Sequence, residues 1–221
     1  MIRKLLLSAA ALVCAVLTSQ AKADGFQILF AGPGVSGSLF LTYGAATDAK
    51  YPGAFEVTGI SGTFTDTNNG LNIVDASILG LVPITHDTPE VTNLLAPADF
   101  SRFAVATGLG PENNGFLTFD NLLWPGGAPQ TASDYPASGG FVDIYGLMFD
   151  IGNGQVVDFW SNGTFVPGGP FDYGVAVATS AEALDYTGGV GLAPEPSSLV
   201  MLATGALGVG GMVRRRLARP V

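Results

Sequence analysis

Apolar residues in this chain alternate with polar ones in short runs, and Gly, Asn, Asp and Pro separate the runs. Ser36–Tyr43 shows the pattern clearly: Leu39, Leu41 and Tyr43 fall on one face, and Ser36, Ser38 and Thr42 on the other, with Phe40 as the exception. A period of two marks a strand with one buried face. Further strands are expected at Phe26–Ala31, Phe55–Thr65, Leu71–Val74, Ser77–Val82, Gly115–Asp120, Gln155–Trp160 and Phe171–Thr179. Gly59 and Gly62 suggest a bulge inside Phe55–Thr65. Phe141–Ile151 is apolar on both faces, as a central strand would be. Turn chemistry falls at Asp66–Gly70, Gly152–Gly154 and Ser161–Gly163. Thr88–Phe103 is broken by Pro89 and Pro97 and leaves room for a short helical turn near Asp99, while Leu122–Gly140 reads as irregular. Many short strands, with helical patterns only at the two ends, predict an all-β fold: an antiparallel sandwich or jelly roll.

The ends follow a different pattern. Residues 1–23 have Arg3 and Lys4 before the apolar run Leu5–Leu17, then Ala21-Lys22-Ala23 before Asp24. This is the layout of a secretory signal helix cleaved after Ala23. At the other end, Ser197–Val213 is an uncharged run of 17 residues, about 25 Å long as a helix, which suits a short transmembrane span. Arg214, Arg215, Arg216 and Arg219 follow it, so the C-terminus is expected on the cytoplasmic side. Pro194 and Pro196 bias the residues before them toward extended backbone, which leaves Pro194-Glu195-Pro196 accessible outside the membrane. The expected division is a signal peptide at 1–23, a secreted β domain at 24–187, a linker at 188–193 and a sorting tail at 194–221.

The motif Ala193-Pro194-Glu195-Pro196-Ser197-Ser198-Leu199, the Gly/Leu/Ala-rich span and the terminal arginines together resemble the PEP-CTERM sorting signal. The resemblance implies a Gram-negative bacterium and recognition by an exosortase, a membrane-embedded transpeptidase-like enzyme. It also implies cleavage near the motif and delivery to the cell surface or the exopolysaccharide matrix. Signal peptidase, the secretion machinery and, transiently, the inner membrane are the other implied partners. Phe55–Phe64 and Phe119–Pro125 also look like uncharacterised domains found with such tails, a likeness that carries no activity.

Charge narrows the chemistry. Between Asp24 and Ala193 the only basic residues are Lys50 and Arg102, against 17 acidic ones, a formal charge of −15. Such a surface repels nucleic acid and anionic polysaccharide and favours neutral glycans or divalent cations. Cys14, the only cysteine, lies in the signal region, so no disulfide supports the secreted domain. His86, the only histidine, cannot build a zinc site alone. No Gly-x-Ser-x-Gly elbow is present for a serine hydrolase. Glycosidases work with two carboxylates across a cleft, and Asp143 and Asp158 are the pair that neighbouring strands would bring together. Calcium takes six to eight oxygen ligands. Asp66, Asn68 and Asp75 around Gly70 offer some, as do Asp150, Asn153 and Asp158. Trp124, in an exposed-looking loop, and Trp160, at a strand end, are the candidate stacking faces for sugar rings, although core packing is the commoner fate of such residues. The expected function is that of a secreted, non-enzymatic surface or matrix protein without a required cofactor. A carbohydrate-binding module, with or without calcium, is the alternative, and a carboxylate glycosidase comes third.

Overall fold

The computed structural model describes residues 24–48, 51–84, 101–104, 116–129, 139–163 and 172–192. Every strand pairing in these segments is antiparallel. Three long strands, β1 (Asp24–Gly32), β2 (Val35–Thr47) and β3 (Phe55–Asp66), form a meander. Two short ones follow, β4 (Ile73–Ser77) and β5 (Gly80–Leu81). β6 (Ser101–Ala104) and β7 (Phe116–Phe119) pair only with each other, and β8 (Leu122–Leu123) pairs with β3. β9 (Leu147–Gly152), β10 (Gln155–Gly163), β11 (Asp172–Ala178) and β12 (Ala183–Leu192) complete the order.

One sheet runs β4-β3-β2-β1-β12-β11-β10-β9-β5. Its two edge strands, β4 and β5, are consecutive in the chain and joined through Ile78 and Leu79. The sheet therefore has to curl until its edges meet. Ile78 N–H donates to Gly62 O on β3 at 3.0 Å, and Leu79 N–H donates to Asp150 O on β9 at 2.8 Å, so this link ties both edges. Curling buries one face. Ile28, Phe30, Leu39, Leu41 and Phe64 from the first strands share a core with Leu147, Phe149, Val157, Phe159 and Val175 from the later ones. Phe159 is stacked between Phe30 (centroids 4.7 Å apart) and Tyr173 (5.0 Å). A second apolar cluster lies on the opposite face of β9–β11, where Met148, Val156, Ala176 and Ala178 pack beneath Leu117 and Phe119 of β7. The later strands are thus covered on both faces, which explains their near-continuous burial.

The alternating strands form close to where the pattern sets them. The β9–β10 hairpin closes on Asn153 (φ 57°) and Gly154 (φ 72°), the left-handed pair a tight two-residue hairpin requires. A register shift separates the pairs Thr42–Gly59 and Tyr43–Val57, so β3 does bulge beside Gly59. Gly62 has a different duty: at φ +136° a Cβ would come within 1.8 Å of Ser38 O on β2, so only glycine fits.

Four expectations need correction. Phe141–Gly146 is not strand. Asp143 Oδ1 accepts the N–H groups of Tyr145 (2.8 Å) and Gly146 (3.1 Å) and curls the chain before β9 begins. Ser161–Gly163 is not a turn; β10 continues through it with a bulge, and Gly163 pairs with Asp172. Gly188–Leu192 is not linker but the end of β12, where Val190 pairs with Tyr173 and Leu192 with Phe30. The strand expected from Leu71 starts at Ile73, and the one expected over Ser77–Val82 shrinks to Gly80–Leu81. The expected signal and transmembrane helices, the residues around His86 and the helical turn near Asp99 lie outside the described residues. Among the described residues no helix is long and apolar enough to cross a membrane.

Candidate functional site

Three carboxylates from separate parts of the chain come together behind β7. Asp120 follows β7 directly, Asp143 sits in the curled 141–146 loop, and Asp158 lies on β10 opposite Met148 of β9 and Ala176 of β11. All three are buried, with 4%, 3% and 3% of their surfaces exposed. The loop is seated by backbone bonds: Gly146 O accepts Asn121 N–H at 3.0 Å, and Ser161 N–H donates to Asp143 O at 2.8 Å. Asn121 bolts the assembly to the sheet. Its Oδ1 accepts Met148 N–H (2.9 Å), and its Nδ2 donates to Val82 O (2.9 Å).

The electrostatics are those of like charges in a dry place. Burial, reinforced by the neighbouring Asp143, pushes the Asp120 carboxyl well above the usual carboxylate range. The same causes, in the same order, raise Asp158. Asp120 Oδ1 accepts Leu122 N–H at 3.1 Å, and the Asp120 carboxyl is also hydrogen-bonded to that of Asp143, while Asp158 Oδ1 is buried without a hydrogen-bond partner. Asp143 and Asp158 do come together, but through the curled 141–146 loop rather than from neighbouring strands as expected. They are sealed under β7, however, rather than set across an open cleft, so they can hold protons but are closed to a polymeric substrate. Asp120 was not singled out from sequence; nothing local marks it, because its partners lie 23 and 38 residues further along the chain.

The calcium ligands expected at Asp66, Asn68 and Asp75 do not converge. Asp66 is fully buried and Asp75 exposed, on opposite faces of paired strands. Asp75 instead meets Thr65, whose Oγ1 accepts Asp75 N–H at 2.9 Å. Asn68 Nδ2 donates to Pro33 O (2.8 Å) and Thr187 Oγ1 (2.9 Å). Asp66 faces Asp185 of β12, and burial followed by that neighbour's charge pushes its carboxyl up to about 6. Asp185 is held by the Asn69 side-chain amide and by Thr187 Oγ1. The alternative trio also separates. Asp150 Oδ1 accepts Gly152 N–H within the hairpin turn, where Asn153 is exposed, while Asp158 is sealed deeper along β10.

Of the two tryptophans, Trp124 is not in an exposed loop. It is 2% exposed and packs edge-on against Tyr51, 6.3 Å between centroids, in a small cluster with Ala54, Leu122 and Ala128. It offers no face to a sugar. Trp160 is half-buried on the outer face of β10. Its ring lies over Gly174, where a Cβ would come within 2.3 Å of it. Its Nε1 donates to Asn162 Oδ1 at 3.0 Å. Tyr186 of β12, which the sequence reading passed over, lies beside it at 5.6 Å and is 56% exposed. Asp24 begins β1. Ala21, Ala23, Pro194, Glu195, Pro196, Arg214, Arg215 and Arg216 lie outside the described residues.

No known protein family, curated protein or solved structure matches the chain.

Proposed function

We propose that this chain is an exported, non-enzymatic protein of the bacterial surface or extracellular matrix, with a sandwich of the jelly-roll kind as its secreted domain. Signal peptidase removes residues 1–23, the 197–213 span holds the precursor in the inner membrane, and an exosortase processes the tail. The observation that carries this reading is the order of the tail: Pro194-Glu195-Pro196, an uncharged span, then Arg214-Arg215-Arg216. The burial of Asp143 and Asp158 supports the non-enzymatic part, because the carboxylate pair best placed for hydrolysis is closed to solvent. Expression in an exosortase-bearing host, with and without residues 194–221, tests the route. The complete chain should be shortened and reach the surface, and the truncated one should not be retained or processed at the membrane. Normal trimming and delivery of the truncated chain would refute it.

A second reading rests on the outer face of β10 and β12. Trp160 and Tyr186 form an adjoining aromatic surface on an acidic domain, which suits stacking against a neutral glycan. Retention on a neutral exopolysaccharide that weakens in both W160A and Y186A would favour this reading, whereas unchanged retention in both removes it.

A further inference from the structure

The two sides of β1 are unequally paired. Along β2 it is matched over its whole length, from Asp24 opposite Tyr43 to Gly32 opposite Val35. On its other side β12 meets it at two positions, Phe30 opposite Leu192 and Ala31 opposite Gly191. Among the described residues no strand lies along that side of Asp24–Leu29. Every second residue of such an edge turns its N–H and C=O outward, a row of groups that templates a further strand. The described part of β12 stops at Leu192, running antiparallel to β1 and directed along this edge, and the chain continues with Ala193-Pro194-Glu195-Pro196-Ser197.

The register already set by β12 carries these residues onto the edge. Continued without a shift, it puts Ala193 opposite Leu29, Pro194 opposite Ile28, Glu195 opposite Gln27, Pro196 opposite Phe26 and Ser197 opposite Gly25. Polarity agrees with that register. Phe26, Ile28, Phe30 and Leu192 all belong to one core, so period-two alternation brings Pro194 and Pro196 to the apolar side. Glu195 and Ser197 then fall on the outer side, in rows with the exposed Gln27 and Gly25. The prolines stand two apart, so both lack their donor on the same side of a strand, and proline is tolerated where that side faces away from the pairing. Donors at Ala193, Glu195 and Ser197 are left to turn toward β1. The strand on the other side of β12, β11, begins at Asp172 with Tyr173 opposite Val190, so no described strand needs the missing donors.

We propose that the Asp24–Leu29 edge of β1 takes Ala193–Ser197 of the same chain as an antiparallel strand, so that Pro194-Glu195-Pro196 is held against the folded domain. The pairing itself is independent of the export route and of glycan binding. Its consequence rests on the proposed route: an exosortase must peel the motif from β1 before cutting it, which ties processing to the fold.

The test uses purified full-length chain in neutral detergent, with C14S so that introduced cysteines are the only thiols. Q27C/E195C should close to an intramolecular disulfide under mild oxidation more than about tenfold faster than L29C/S197C, which lies on the same face but out of register. Equal rates would mean an unpaired tail and would overturn the proposal. A disulfide-linked dimer in place of the internal bond would also overturn it, because a second copy would then occupy the edge. Hydrogen exchange needs no cysteine variant: the Ala193 and Glu195 amides of the unmutated chain should exchange at least about tenfold more slowly than in the isolated 190–198 peptide. Exchange at the peptide's rate overturns the proposal. Neither measurement involves an exosortase, so failure of the route and failure of the pairing are separable.

Discussion

Asp66 makes the stability of this fold depend on pH in the sense opposite to the usual acidic residue. Its carboxyl is fully buried and raised from 3.8 to about 6, first by burial and then by the facing Asp185. The folded chain therefore holds this proton more tightly than the unfolded chain does. Between about pH 4 and pH 6 the native state binds more protons, so stability falls as pH rises through that window. A shift of about two units corresponds to about 3 kcal/mol. Asp66→Asn reproduces the protonated form: its oxygen can still accept Asn68 N–H, the bond Asp66 Oδ1 makes at 2.9 Å, and its amide can donate toward Asp185. The substitution should be nearly neutral at about pH 4 and stabilising by up to about 3 kcal/mol near pH 7. Urea unfolding of both proteins in chelator at the two pH values measures the difference, in which Asp120 and Asp158 cancel because both proteins retain them. An equal difference at the two pH values, or a loss of stability near pH 7, would refute the reasoning.

Two other substitutions test the packing. Asn121→Ala removes the partners of Met148 N–H and Val82 O and leaves a non-glycine residue at φ 53°. It should cost about 2–4 kcal/mol in urea unfolding, and a cost under about 1 kcal/mol would show that the side chain does not hold the loop to the sheet. Phe159→Ala empties the slot between Phe30 and Tyr173 and should cost about 3–5 kcal/mol; a near-neutral result by the same measurement would mean that the two halves of the curled sheet do not share this core.

The candidate site was far less legible in the sequence than the strands. Asp143 and Asp158 could be paired by assuming adjacent strands, but Asp120 could not, because no local period links it to either. Trp124 takes the core fate that is commoner for tryptophan, although its Pro-Gly-Gly surroundings suggest an exposed loop, because Tyr51, Ala54 and Leu122 close over it. β12 was missed because its pattern is inverted: Asp185 and Thr187 face inward and Tyr186 outward. Asn68, Asn69 and Asp66 supply the polar environment that makes this inversion tolerable.

By itself, the sequence determined what is local. Period-two alternation made Val35–Thr47 and Phe55–Asp66 strands, the Asn153-Gly154 pair made a hairpin, and the distribution of charge confined nearly all the basic residues to the two ends. These outcomes depend on backbone geometry and on neighbours a few residues away. Only the tertiary structure decided that β4 and β5 close the curl, that Phe141–Gly146 bends around Asp143, and that three distant carboxyls share one dry space. Each of those depends on which surface arrives from elsewhere in the chain to remove water, and a strand's own alternation carries no information about what will cover it.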